Sequence, residues 1–166
     1  LTRLAEAGVD YVKVGINARH VSDSLIVSLQ TINGYKCGVI AVCIAEEPPR
    51  ISDIARLAES GIAGIMLDTN EKAGRSLTEL LDISELEAFV RAGREFGLLT
   101  GLAGRLRVED VPIVKLAGPD YIGFRSALCP RGQRRSRCVP EEIARVREAM
   151  RTDTSTPKPY KDSEVA

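Results

Sequence analysis

Five short apolar runs, each followed by a stretch with helical periodicity, restrict what this chain can fold into. They are Tyr11-Val12-Lys13-Val14-Gly15-Ile16; Cys37 to Ala45; Ile62 to Leu67, ending in Asp68-Thr69; Leu98 to Ala103, closing in Gly104; and Tyr121-Ile122-Gly123-Phe124-Arg125. The runs are nearly continuous rather than alternating, as in strands buried on both faces of a parallel sheet. Strands separated by single helices need crossover connections, so the fold class is α/β with parallel strands. Two architectures accommodate this pattern. One is a small doubly wound sheet. The other is about five of the eight β/α units of a TIM (β/α)8 barrel, which in full takes roughly 250 residues.

The intervening segments carry helix punctuation. Ser22 or Asp23 caps a helix through about Ile32, with Gly34 as its stop, and Ser52-Asp53 caps one that ends at Ser60-Gly61. Leu77 to Leu81 and Ser84 to Phe96 form a broken pair, with Ser84 and Glu87 as a capping box. Val108 to Leu116 stops before Gly118-Pro119, and Pro140 opens a last helix through Met150. The phrase Ala7-Gly8-Val9-Asp10-Tyr11 returns as Ala117-Gly118-Pro119-Asp120-Tyr121, with a weaker copy in Ser60-Gly61-Ile62-Ala63-Gly64. In each, glycine closes a helix in the left-handed conformation and the chain turns into a strand. Such recurrence is what repeated β/α units produce.

Residue 1 is Leu, and Leu1 to Glu6 read as the inside of a helix that ends at Gly8. The expectation is an N-terminally truncated member of the barrel class. Residues 1–151 would be the C-terminal part of a single barrel, with about three β/α units missing in front. Residues 152–166 contain Pro157 and Pro159 and no periodicity, and read as a disordered tail.

Lys plus Arg and Asp plus Glu each total 23, so the formal net charge is zero. That balance offers no basic field for nucleic acid, and it favours self-association into a homo-oligomer. No apolar run approaches the roughly 18–20 residues of a membrane span, and a cytoplasmic location without membrane partners is expected. Cys37, Cys43, Cys129 and Cys138 contain no CxxC pair, and His20 is the single histidine. Zinc ligation would call for tighter clusters, so no metal site is expected and the thiols read as buried or idle. His20 reads as a surface residue at a helix start.

In α/β barrels chemistry gathers at the C-terminal ends of the strands. Lys13 stands inside an otherwise apolar strand, where an ammonium needs a partner or a function, and burial lowers a lysine pKa toward that of a base or nucleophile; its bland alternative is an edge lysine that snorkels to water. Asp68 ends its run with Lys72 four residues later, a plausible acid/base pair or a loop salt bridge. Gly104, Gly123, Arg125 and Ser126 follow the last two strands, where backbone N–H groups bind phosphate in barrels and an arginine adds a bidentate clamp. Arg131, Arg134, Arg135 and Arg137 form a basic loop that either draws in phosphorylated substrates or is simply solvated. Glu46, in the loop after the second run, is a weaker candidate for the site.

Four phrases occur together in one order and spacing: Tyr11-Val12-Lys13-Val14-Gly15, Met66-Leu67-Asp68-Thr69 with Lys72, Leu102-Ala103-Gly104, and Gly118-Pro119-Asp120-Tyr121-Ile122-Gly123-Phe124-Arg125. Over about residues 1–150 they resemble the (5-formylfuran-3-yl)methyl phosphate synthase family of methanofuran biosynthesis. The resemblance implies a (β/α)8 barrel with no metal or organic cofactor. It implies a carbon–oxygen lyase that condenses two glyceraldehyde 3-phosphate molecules into 4-(hydroxymethyl)-2-furancarboxaldehyde phosphate, with loss of phosphate and water. It implies a Schiff-base lysine, as in class I aldolases. By position, Lys13 matches the family's proton-acceptor lysine, and Asp68 and Lys72 match an active-site aspartate and lysine. The family's Schiff-base lysine sits in an Asp-Val-Lys-Asn-Pro phrase that residues 1–166 do not contain. The loop after the second run is shorter than the family's, Glu46 stands where an aspartate is common, and the arginine loop and tail are unusual.

Two other readings compete. One is a different phosphosugar aldolase or isomerase on the same barrel. The other is a non-catalytic half-barrel that acts as a binding module.

Overall fold

The computed structural model describes residues 8–17, 20–32, 37–70, 74–133 and 135–152. The five runs form β1 (Tyr11–Ile16), β2 (Gly38–Ile44), β3 (Gly64–Asp68), β4 (Leu99–Leu102) and β5 (Tyr121–Ile122). Between them lie α1 (Asp23–Ile32), α2 (Ile51–Glu59), the short α3 (Leu77–Leu80), α4 (Ile83–Glu95) and α5 (Val111–Leu116); α6 (Pro140–Arg151) follows β5.

The strands pair in chain order, β1-β2-β3-β4-β5, and every pairing is parallel. A doubly wound sheet reverses its strand order at a switch point. This sheet does not, so of the two expected architectures the barrel type stands. Because every crossover steps to the next strand, the helices collect on one face. There Val12, Val39, Ala41, Ile65, Leu67 and Leu102 pack with Leu29 of α1, Leu57 of α2, Leu77 of α3, Phe89 of α4 and Val114 of α5 in a continuous core. Removing one such leucine side chain from water contributes about 1.5–3 kcal/mol. Residues one step out of phase point to the other face, where Ile40, Met66 and Ala103 make a small cluster edged by Val42, Ala63 and Tyr121.

Helix starts depart from expectation in two places. The capping box of α4 is Asp82 with Glu85 rather than Ser84 with Glu87: Asp82 accepts from the Glu85 amide, and Glu85 accepts from the Asp82 amide. The helix begins one turn-position earlier because Ile83 joins its apolar stripe. In α2 the cap position belongs to Arg50, and Asp53 lies inside the helix, where it accepts from the Arg50 amide and guanidinium. Gly8 and Gly118 of the repeated phrase have left-handed φ of +77° and +70°, and strands follow both; the helix read before Gly8 lies outside the described residues. β5 is shorter than expected. Its ladder ends at Ile122, and Arg125 precedes a 3₁₀ turn over Ser126–Leu128. The proposed tail falls almost wholly on residues 153–166, outside the described residues.

Candidate active site

The inner face ends in a pocket of about 190 Å³ at the C-terminal ends of β3, β4 and β5. Lys13, Met66, Asp68 and Thr69 form one side of its lining; Ala103, Gly104, Arg105, Gly123, Phe124, Arg125 and Ser126 complete it. The structure therefore brings together six of the seven residues singled out from the sequence. The seventh, Lys72, lies outside the described residues.

Lys13 reaches the pocket because the strand alternates. Val12 faces the helices, so Lys13 faces inward, in register with Ile40. It is exposed, not buried as its apolar strand neighbours suggested. Its Nζ lies 3.3 Å from Met66 Sδ and 5.5 Å from the centroid of the Tyr121 ring, a cation–π approach that holds the ammonium over the inner face.

Asp68 is the last residue of β3 and half-buried; its Oδ1 accepts from the Thr69 amide at 2.8 Å. Glu46 does not enter the pocket lining. Both its oxygens accept from the Asn70 amide, at 3.1 and 3.2 Å, which ties the loop after β2 to the loop that carries Asp68.

Gly104 has φ of +118°, and a Cβ there would come within 2.6 Å of Thr69 Cγ2. Glycine is thus what lets the turn after β4 close against the residue following Asp68. At Gly123 a Cβ would meet Met66 Cε at 2.9 Å, and its amide donates to the Leu102 carbonyl. Gly123 makes room, then, while its N–H belongs to the sheet edge. The Arg125 guanidinium also differs from the expected clamp. It donates to Cys129 Sγ at 2.6 Å, Cys138 Sγ at 3.5 Å and the Ser136 carbonyl at 3.3 Å, all in the loop that follows. Ser126 opens the 3₁₀ turn at the pocket rim.

Arg131 lines a separate hollow of about 530 Å³ with Arg105, Arg107 and Arg145, faced by Glu109 and Glu142. Arg135 and Arg137 are exposed, and Arg134 lies outside the described residues. His20 is exposed. Cys37, Cys43 and Cys129 are buried free thiols and Cys138 is exposed; burial, with Asp53 nearby, pushes the Cys43 thiol up to about 12. Among the described residues no cluster of three His, Cys, Asp or Glu is arranged to hold a metal ion, and no helix is long and apolar enough to cross a membrane.

Sequence reasoning missed Thr69, Arg105 and Tyr121. Thr69 and Arg105 were adjacent to residues that were chosen, and strand ends alone would have included them. Tyr121 was read as plain strand. Its ring lies over Gly101, where no Cβ stands in the way. Its hydroxyl is buried and has no hydrogen-bond partner among the described residues. Burial, with Asp120 next to it, pushes its pKa up to about 12.

The likeness to solved structures supports the architecture. A structure described as native KDPGal aligns with a TM-score of 0.57 at 17% identity, over 91% of this chain and 65% of the other. A GMP reductase from Trypanosoma brucei in complex with guanosine 5'-triphosphate aligns with a TM-score of 0.60 at 20% identity, over 89% of this chain and 37% of the other. At those identities the likeness is one of fold, an α/β barrel of which this sheet is a part. Relatives in sequence are closer. A candidate (5-formylfuran-3-yl)methyl phosphate synthase of Methylorubrum extorquens is 36% identical over 151 residues, 91% of this chain and 62% of that protein. The (5-formylfuran-3-yl)methyl phosphate synthases of Methanopyrus kandleri and Methanosarcina mazei are each 33% identical, over 86% and 84% of this chain and 65% and 63% of their own lengths. The chain thus spans a little under two thirds of these relatives. With residues 1–147 matching the 4-HFC-P synthase family, this chain belongs to that family.

Proposed function

We propose that this chain carries the C-terminal part of the active site of a (5-formylfuran-3-yl)methyl phosphate synthase in methanofuran biosynthesis. In this reading the enzyme condenses two glyceraldehyde 3-phosphate molecules into 4-(hydroxymethyl)-2-furancarboxaldehyde phosphate, with loss of phosphate and water. The observation that supports it is the convergence of Lys13, Asp68, Gly104, Gly123, Arg125 and Ser126 on one pocket at the strand ends, in a chain of this family.

The division of labour follows from the chemistry. Aldol addition and the eliminations that follow need protons moved between carbon and oxygen. Lys13 is the proton acceptor: it lines the pocket with its ammonium over the Tyr121 ring, and as a free amine it would take a proton from carbon. Asp68, fixed by the Thr69 amide, relays protons with Lys72. Ser126, Arg125 and the turns at Gly104 and Gly123 hold a phosphate, the turns by letting the substrate approach the backbone. Imine formation belongs to a lysine in a phrase that residues 1–166 do not contain. The reaction needs no metal or organic cofactor, its setting is the cytoplasm, and residues 1–151 act as one part of a single barrel.

The test is to supply glyceraldehyde 3-phosphate to the protein isolated from its source and follow near-ultraviolet absorbance with release of inorganic phosphate. A furan chromophore and phosphate rising together are the expected result. A phosphorylated product without that absorbance would move the reading to another phosphosugar aldolase or isomerase. Substrate binding without any conversion would leave a binding module.

A further inference from the structure

The loop between β5 and α6 holds two cysteines that the proposed reaction does not use. The Val139 amide donates to the Leu128 carbonyl at 3.0 Å and closes the neck of the loop. That bond brings together the segments that carry Cys129 and Cys138, their chain neighbours. Cys129, which follows the 3₁₀ turn, and Val139 are both extended, with φ/ψ of −115°/148° and −117°/143°. A disulfide needs Cα atoms about 4.4–6.8 Å apart, a separation within reach of the chain neighbours of two residues joined by a backbone hydrogen bond. The side chains agree with the backbone. One nitrogen, Arg125 Nη1, contacts both sulfurs, at 2.6 Å for Cys129 and 3.5 Å for Cys138. Both thiols are free.

We infer that Cys129 and Cys138 form a reversible disulfide that clasps the arginine loop at its neck. Exposure sets the order of events. Cys138 is exposed, whereas Cys37, Cys43 and Cys129 are buried, so an oxidant meets Cys138 first. With a low-molecular-weight disulfide such as oxidised glutathione, the Cys138 thiolate attacks one sulfur and releases one glutathione as thiolate. The Cys129 thiolate then attacks the Cys138 sulfur and expels the second glutathione. Two protein thiols are oxidised, one glutathione disulfide is reduced to two thiols, and the two protons pass to the departing thiolates. Oxidation also takes away two of the three acceptors of the Arg125 guanidinium, leaving the Ser136 carbonyl. Arg125 lines the pocket, so the disulfide changes KM for a phosphorylated substrate. That consequence rests on the function proposed above; the disulfide itself does not.

The experiment equilibrates the native protein in glutathione buffers from fully reduced to fully oxidised, quenches with acid and maps peptides without reduction. The expected result is a Cys129–Cys138 linked peptide, the loss of two free thiols, and full reversal by dithiothreitol. Trypsin cleavage after Arg131 or Arg135 should then leave two pieces that stay joined until reduced. Cys138→Ser, an exposed and tolerant position, should abolish the link and leave the buried thiols unoxidised; Cys129→Ser should stop at a glutathione adduct on Cys138. A stable Cys138 adduct in the unaltered protein, or a Cys138–Cys138 link between two chains, would overturn the inference. A disulfide that forms and leaves KM unchanged would overturn only the coupling to Arg125. Failure of the proposed activity would leave the thiol count as it stands.

Discussion

The helix-covered face of the sheet buries Val39, Ile65, Leu67 and Leu102 completely, while the opposite face has a small buried cluster of Ile40, Met66 and Ala103 and leaves Tyr11 52% exposed. The strands contribute alternate residues to both. The difference lies in what the alternate positions contain. Outward positions are mostly branched and apolar, with Ala41, Cys43 and Thr100 among them, and meet five helices. Inward positions include Lys13, Asp68 and the glycines Gly15, Gly38, Gly64 and Gly101. One face carries the packing energy, and the other carries groups that stay available for chemistry.

Substitutions that separate the two faces test this contrast. The largest effect is expected at Lys13. Lys13→Ala should lower furan formation by about 10²–10⁴-fold, the usual worth of a positioned acid or base, and leave thermal unfolding unchanged because the side chain is exposed. Steady-state rates beside a melting curve measure both; near-normal turnover would remove Lys13 from the mechanism. The reverse pattern is expected on the helix face. Leu67→Ala should destabilise the chain by about 2–5 kcal/mol, since Leu67 is fully buried, and leave turnover per folded molecule intact. Denaturant titration with active-site counting separates the two quantities.

Gly104→Ala sharpens the comparison where the faces meet. A left-handed φ and a close approach to Thr69 should together cost about 1–3 kcal/mol, and displacement of Thr69 beside Asp68 should slow turnover as well. Equal activity in the alanine variant would show that the turn is only structural. The smallest effect concerns acid stability on the helix side. Hydrogen bonds from the Arg50 side chain, opposed by burial and aided by the Arg50 amide, hold the Asp53 carboxyl below its ordinary value. A lowered folded value means the contribution is complete above the ordinary carboxylate range, about pH 4, and is lost as pH falls through the folded value. Asp53→Asn should therefore flatten that acid limb and leave the curve above it parallel; an unchanged limb would show that the pair contributes nothing.

The five runs, the glycine turns at Gly8 and Gly118, and the set of residues around Lys13, Asp68 and Gly104 were legible because they follow local rules. Apolar periodicity marks strands, a left-handed cap wants glycine, and barrel chemistry sits at strand ends. The start of α4 at Asp82 was missed because Asp82 and Ser84 both cap well, and the choice depends on Ile83 joining the stripe that packs on the sheet. The contacts of the Arg125 guanidinium with Cys129, Ser136 and Cys138 in the loop that follows were not legible. No spacing rule could have foreseen contacts set by how that loop folds back.

The sequence by itself determined a parallel α/β fold with its catalytic candidates at strand ends, because hydrophobic period and turn chemistry act within a few residues. Only the tertiary structure decided the strand order that excludes a doubly wound sheet, the inward direction of Lys13 over Tyr121, and the approach of Cys129 and Cys138 to one nitrogen of Arg125. Those depend on which distant segments meet, and the free energy of such meetings belongs to packed surfaces rather than to any single stretch of chain.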